Sequence, residues 1–145
     1  MNYLAALTAT HATLATLGYA GLIATNVTLL VLYRQSSTDA IPVAIRLWRN
    51  CARIFGPMIG LGVVVGIFLA TQIGISLATS WLLVAYVFIA IGMLAQAGIM
   101  IPWQLAAASA ARAGERVSTA RITTAIALFT VAYLGIMLAM VARPS

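Results

Sequence analysis

The one histidine of the chain, His11, is the side chain with the clearest capacity for chemistry. It lies early in an apolar stretch, about two helical turns from the N-terminus. A neutral imidazole can bind a metal ion or a haem iron through a ring nitrogen, and an ionisable residue inside a membrane span is by default a candidate functional site. The structural alternative is an imidazole bonded to a neighbouring helix or to water near the membrane surface. His11 is therefore a candidate ligand for metal or cofactor, with both interpretations open.

Met93 and Met100 are the next candidates, because thioethers bind copper(I). They lie seven residues apart in a third apolar stretch, a helical spacing at which methionine usually fills gaps in packing. The chain has one cysteine and no second histidine, and its two carboxylates, Asp39 and Glu115, lie outside the apolar stretches. No catalytic triad, phosphate-binding loop or zinc motif is present in the sequence. We therefore expect no bound cofactor, no metal and no enzymatic activity.

Asn26 and Gln96 are amides that fall well inside apolar stretches. Each has more hydrogen-bonding capacity than the backbone of its own helix can use. We expect these side chains to bond across helices, to each other or to a threonine, with a contribution of about 1 kcal/mol.

The elements that must position these residues follow from composition. Of 145 residues, 63% are hydrophobic and 7% are charged, whereas a soluble domain carries about 25% charged residues. The chain is therefore predicted to be an all-α membrane protein. Four apolar stretches are each long enough to cross a hydrocarbon core of about 30 Å, and the short loops between them predict one antiparallel four-helix domain. The predicted spans are about 4–33, 54–74, 81–103 and 122–141.

The second span has an amphipathic lead-in, in which Arg46, Arg49 and Arg53 share one helical face and apolar residues face away from them. This pattern predicts a helix at the membrane interface, followed by a kink at Gly56-Pro57. The arginine face is expected to be solvated on the cytoplasmic side. A docking surface for a partner subunit or for lipid headgroups is the alternative.

The placement of the positive charge predicts the orientation. The net charge is +6, and seven arginines flank the first and third loops, whereas only Arg143 lies on the opposite side. The positive-inside rule then places both termini outside the cytoplasm. Richness in alanine and arginine without lysine suggests a bacterial chain, and hence the inner membrane. Charges beside apolar spans fit anionic lipid headgroups, so we expect membrane lipids as partners and no nucleic acid.

Rows of small residues mark the expected packing faces. Gly62, Gly66, Ala70 and Gly74 recur every fourth residue in the second span. Gly135 and Ala139, preceded by Ala132, do the same in the fourth. Such rows let a second helix backbone approach closely in a membrane. Each row is therefore predicted to face another helix, in this chain or in a partner subunit.

A loose pattern runs through nearly the whole chain: an early histidine followed by small residues, a basic lead-in to a glycine-rich helix, a tryptophan opening the third span and a basic tail. Here these are His11, Gly18, Gly21, residues 46–66, Trp81 and Arg143-Pro144. The pattern resembles the small four-helix bacterial membrane proteins grouped with the copper-resistance CopD domain and the HemJ-type protoporphyrinogen oxidases, above all their uncharacterised relatives.

That resemblance implies a role for His11 in copper or haem handling. The oxidase-like members pair this histidine with further polar ligands and a lysine in later helices. Here the third span offers Gln96, and the sequence contains no lysine. The resemblance therefore implies a relative that kept the bundle without the chemistry.

Two classes of function follow. In the first, the protein is a non-catalytic accessory or stabilising subunit of a larger inner-membrane complex, a transport system, with a lipid importer of the Mce type as one candidate. In the second, it handles haem or copper through His11, with Met93 and Met100 as further ligands. A small transporter in its own right is a third interpretation.

Overall fold

Four long helical rods make up the structure, a computed structural model that describes residues 2–142. In chain order the α-helices are α1 (Tyr3–Gln35), α2 (Ile41–Gln72), α3 (Ser80–Leu94), α4 (Ile101–Arg112) and α5 (Ala120–Val141). A π-helical segment, Ala95–Met100, joins α3 to α4 in one continuous rod. Each of the four rods is long and apolar enough to cross a membrane. The predicted all-α four-helix membrane bundle is therefore confirmed, while the basic tail, Arg143-Pro144, lies outside the described residues.

The ends of the helices follow from local chemistry. The Asn2 side chain accepts a hydrogen bond from the backbone N–H of Leu4 (3.3 Å), which caps α1. Pro42 lies in the first turn of α2, where its missing N–H leaves no bond unmade. Past the ends of α2 and α4, Gly74 and Gly114 have φ values of 73° and 75°, which glycine adopts without strain. These glycines let the chain turn back after each rod.

The amphipathic lead-in and the second span form one uninterrupted helix. α2 continues through Pro57, although a proline removes one backbone donor from the helix. The apolar face of its first part is buried, with Ile41 fully enclosed and Trp48 6% exposed, and Arg46, Arg49 and Arg53 are exposed. The lead-in is therefore the first part of α2, and its apolar face packs into the bundle.

The rods pack in two pairs that also touch each other. α1 lies along α2 and α3 lies along α5, with further contacts between α1 and α5 and between α2 and α4. One core cluster lies where the α1–α2 and α4–α5 connections meet, which we call the basic end. Its large members include Leu29, Tyr33, Trp48, Met100 and Trp103. A second cluster, around Tyr19, Leu22 and Phe129, lies nearer the opposite end, where α1 begins.

Small residues allow the close approach of α1 and α2. A methyl group placed on Gly62 would lie 3.2 Å from the backbone nitrogen of Ala15, and one on Gly18 would lie 2.9 Å from the backbone nitrogen of Ile59. Gly74 does not continue the row that begins at Gly62, because α2 ends at Gln72 and nothing lies within 4 Å of a Cβ built on Gly74. Gly74 therefore packs against no described helix of this chain and lies in the turn after α2, while a contact with a partner subunit stays a prediction.

The small residues of α5 are used inside the bundle. Ala132 is fully buried, Ala139 is 8% exposed, and a methyl group on Gly135 would lie 2.6 Å from the ring of Phe88. Glycine at this position is therefore what allows the Phe88 ring of α3 to reach the backbone of α5.

The basic end is held together by hydrogen bonds to the α4–α5 connection. The Tyr33 hydroxyl donates to the carbonyl of Val117 (3.0 Å) and accepts from its N–H (2.8 Å). The indole of Trp103 donates to the carbonyl of Ser118 (2.8 Å) and packs edge-on against the Tyr33 ring. Arg116 donates to the carbonyl of Ser36, which links the two connections.

Trp103 differs from its sequence-based placement. The spacing of Trp81 and Trp103 predicts one tryptophan in each interfacial belt. Trp103 is instead only 3% exposed, because the helical rod runs on to Arg112 and places this indole inside the bundle.

Candidate functional site: a histidine-lined cavity

A cavity of about 240 Å³ opens between the rods in the half of the bundle nearer the start of α1. All four rods contribute to its wall. We call it the His11 cavity, and its residues include Ala15 and His11 of α1, Val63 and Ala70 of α2, Ile89 of α3 and Ile136 of α5. His11 is the one residue with a metal-ligating nitrogen among the described residues of this wall.

The ring of His11 is fixed by the second helix. Its Nδ1 lies 2.8 Å from the carbonyl oxygen of Gly62. A carbonyl only accepts hydrogen bonds, so Nδ1 must be the protonated nitrogen, and Nε2 of the neutral ring is then an acceptor. On its other side the ring lies against Gly66, where a methyl group would be 2.6 Å from Cε1. Gly62 and Gly66 therefore hold the imidazole from two sides.

The structure does not bring the methionine candidates to His11. Met93 is 67% exposed on the surface of α3, and Met100 is fully buried in the core cluster at the basic end. Met140 is the methionine that lines the His11 cavity. Within residues 2–142 there is no group of three or more His, Cys, Asp or Glu side chains that could hold a metal ion. The cavity wall therefore offers one imidazole nitrogen, one thioether and the hydroxyl groups of Thr8, Tyr19 and Tyr86.

Asn26 and Gln96 do come together, in a polar cluster within the bundle. Asn26 is completely buried; its Nδ2 donates to Oε1 of Gln96 (3.2 Å), and its Oδ1 accepts from the Trp48 indole (2.6 Å). The cluster links α1, α2 and the π-helical segment. Since amides pair with each other and with an indole here, the arrangement supplies interhelical hydrogen bonds and no acid or base.

Sequence reasoning missed one member of that cluster, Trp48, and a further buried amide, Gln104. Trp48 lies on the apolar face of the lead-in, which in an interfacial helix would have faced lipid. Gln104 is 6% exposed, and Nε2 of Gln104, like Nε2 of Gln96, is buried without a hydrogen-bond partner among the described residues. A glutamine within a buried run of alanines and tryptophan was the signal that could have found Gln104.

A second, more open cavity lies between α1 and α2 and includes Cys51 in its wall. The thiol is free and half-buried. The other residues of this cavity wall are apolar or threonine, and they offer no base to activate a thiol.

The comparisons with known proteins are negative throughout. Neither a protein-family model, a curated protein nor a solved structure matches this chain.

Proposed function

We propose that the protein is a non-catalytic accessory or stabilising subunit of a larger bacterial inner-membrane complex, a transport system. The observation that carries this proposal is the outward face of α2. Nothing lies within 4 Å of a methyl group built on Gly56 or on Gly60. These glycines are one helical turn apart, so they form an unused pair of the kind that brings two membrane helices into close contact.

The burial of the rods supports the same reading. The rods differ in the burial of their most apolar stretch of 18 residues. In the rod that contains α2, 11% of this stretch is buried inside the bundle, against 22–28% in the other three rods. Leu61 and Val64 on the same rod are 55% and 62% exposed. α2 is therefore the helix with most apolar surface left for a neighbour, beside the only open glycine pair on a described span.

The polar interior also favours a supporting role. The amides of Asn26 and Gln96 are bonded to each other, and the exposed charges lie in and beside the connections at the basic end. We place those arginines on the cytoplasmic side, in contact with anionic headgroups or a partner, with both termini outside the cytoplasm. A lipid importer of the Mce type remains one candidate assembly.

Affinity purification of the tagged protein in mild detergent tests this proposal. We expect partner subunits in stoichiometric amounts, and a several-fold loss of those partners in Gly60→Leu. Gly98→Leu is the matched control, because Gly98 is also open to its surroundings but lies on the π-helical segment of another rod. Both variants should keep the thermal stability of the bundle. Recovery of the protein alone, or equal partner loss in both variants, would contradict the proposal.

Haem or copper handling through His11 is the competing proposal. One observation favours it, namely that His11 lines a cavity with one ring nitrogen free. The residues do not fit a tightly held group, because beside His11 the wall offers one thioether, that of Met140, and hydroxyl groups, and the proposed ligands Met93 and Met100 lie elsewhere. Metal analysis and an absorption spectrum of the purified protein decide between the two. Near one equivalent of haem or copper, lost in His11→Gln, would replace the accessory-subunit proposal.

A further inference from the structure

The free ring nitrogen of His11 is a hydrogen-bond acceptor that no described residue satisfies. Nδ1 is committed to the carbonyl of Gly62, which leaves the lone pair of Nε2 without a protein partner. Nε2 is not among the buried side-chain atoms that lack a partner, so it is open to a donor from outside the protein. A ligand that completes this site must therefore present a donor such as a hydroxyl group.

The depth of His11 in the membrane narrows the class of ligand. α1 has 33 residues, so it is about 50 Å long and exceeds a hydrocarbon core of about 30 Å by roughly 10 Å at each end. His11 lies eight residues from the start of the helix at Tyr3, which is about 12 Å along its axis. The imidazole is therefore near the boundary of hydrocarbon and headgroups, the depth at which the glycerol of a membrane lipid lies.

The wall of the His11 cavity suits a hydrocarbon chain. Apart from His11, Thr8, Met140 and the tyrosines Tyr19 and Tyr86, its lining is aliphatic, small or indole, and the Thr8 hydroxyl already donates to the carbonyl of Leu4. The volume of about 240 Å³ exceeds the roughly 150 Å³ of an apolar cavity that stays dry and binds benzene. Such a space favours part of an acyl chain over water.

The packing of the rods gives a chain a way in from the bilayer. α2 packs on α1 and α3 packs on α5, whereas α2 and α3 make little contact with each other, although both line the cavity. Ile67 of α2 lines the cavity and is 39% exposed, and Trp81 of α3 lines it half-buried. The weak contact between α2 and α3 therefore leaves room for a lateral cleft on the side of the cavity that faces lipid.

We infer that the His11 cavity binds one acyl chain of a glycerolipid whose free glycerol hydroxyl donates a hydrogen bond to Nε2 of His11. Monoacylglycerols and diacylglycerols have this chemistry. The inference goes beyond the proposed accessory role and does not depend on any partner subunit, since the site is complete within one copy of the chain.

Quenching of tryptophan fluorescence tests the inference on the purified full-length protein in detergent. Monooleoylglycerol brominated across its double bond is compared with its dimethyl ether, which has the same chain and ester but no hydroxyl. Bromine quenches an indole at short range, and Trp81 is the tryptophan on the cavity wall. We expect saturable quenching that is lost in Trp81→Phe. The hydroxyl lipid should reach half-saturation at a concentration about fivefold lower than the ether, the effect of one net hydrogen bond.

Two variants and one control distinguish the contribution of the hydrogen bond to binding from the contribution of the cavity volume. His11→Phe removes the acceptor but keeps a ring, so the two ligands should become equal. Val63→Phe fills the cavity and should weaken both, while Val64→Phe, on a neighbour that is 62% exposed and outside the cavity, should change neither. If His11→Phe fails to fold, the comparison of lipid and ether on the unmodified protein still decides.

Equal half-saturation of the two ligands on the unmodified protein would overturn the hydrogen bond to His11. Trp81-dependent quenching that Val63→Phe leaves unchanged would overturn the cavity as the binding site. Neither result would alter the recovery of partner subunits, so failure here is distinguishable from failure of the proposed accessory role.

Discussion

The imidazole of His11 lies directly against the backbone of Gly66, where a methyl group would be 2.6 Å from Cε1 and 2.8 Å from Nδ1. Gly66 and Gly62 both lie on α2. The absence of a side chain at Gly66 is therefore what allows His11 of α1 to reach the carbonyl of Gly62. A histidine and two glycines act here as one packing unit between α1 and α2.

Gly66→Ala is expected to destabilise the bundle, although alanine is intrinsically the better helix former. Propensity alone would stabilise an α-helix by about 0.5–1 kcal/mol, but the added methyl must displace the His11 ring, at about 1–3 kcal/mol for overpacking. Gly60→Ala, where nothing lies within 4 Å, should be neutral or slightly stabilising. Thermal unfolding of both variants in detergent checks this prediction. The melting temperature should fall in Gly66→Ala and should stay the same or rise slightly in Gly60→Ala. Equal shifts of the melting temperature in the two variants would contradict the contact between Gly66 and the His11 ring.

Asn26→Leu should destabilise the bundle by about 1–3 kcal/mol, because it leaves the Trp48 indole N–H and the Gln96 carbonyl oxygen without partners in a buried site. Gln96→Leu removes one bond and one amide nitrogen that is already unpartnered, so its effect should be smaller. The double variant should lose less than the sum of the two. Chemical or thermal unfolding measures all three, and strict additivity would show that the two amides do not interact.

Tyr33→Phe tests the attachment of the α4–α5 connection. The variant keeps the ring packed on Trp103 but removes both hydrogen bonds to Val117. The amide of Val117 should then exchange its hydrogen faster by about fivefold or more, in line with the loss of about 1 kcal/mol of protection. Amides of the connection between α2 and α3, residues 73–79, are an internal control and should not change.

The orientation of the protein across the membrane can be measured with a reporter that is active only in the cytoplasm. Inserted near Ser37 or Gly114, in the two connections of the basic end, it should be active, and fused to either terminus it should be inactive. The physical reason is the excess of arginine at that end of the chain. An active C-terminal fusion would refute the predicted orientation.

The spans could be predicted because hydropathy and length leave few alternatives for this chain. The predicted fourth span, 122–141, nearly coincides with α5, since charges and a loop mark its start. The predicted third span, 81–103, lies within the continuous rod from Ser80 to Arg112, because the alanine-rich residues after Trp103 continue the helix. A proline just after a π-helical segment occupies a first-turn position, where a helix tolerates it.

The candidate site was harder to predict from the sequence, because it depends on which faces of the helices pack against each other. The small-residue row predicted close packing at Gly62 and Gly66 but gave no sign that His11 is the side chain they accommodate. Likewise, Asn26 and Gln96 were identifiable as amides that need partners. The third member of the cluster, Trp48, required the knowledge that α2 begins at Ile41 and packs its first turns against α1. Long-range pairing of this kind leaves no periodic signal within one helix.

The π-helical segment has a consequence for how this chain tolerates changes in length. Buried residues lie on both sides of the segment, Ala85 and Gly92 before it and Ala107 after it. A π-helical turn closes i→i+5 hydrogen bonds, one residue more than the i→i+4 bonds of an α-helix. The segment thus absorbs one surplus residue. Deleting the open Gly98 should give a plain α-helix with both halves still facing inward and a folded protein. Deleting Ala90, by contrast, should turn the helix on one side of the deletion by about 100° and expose its buried face.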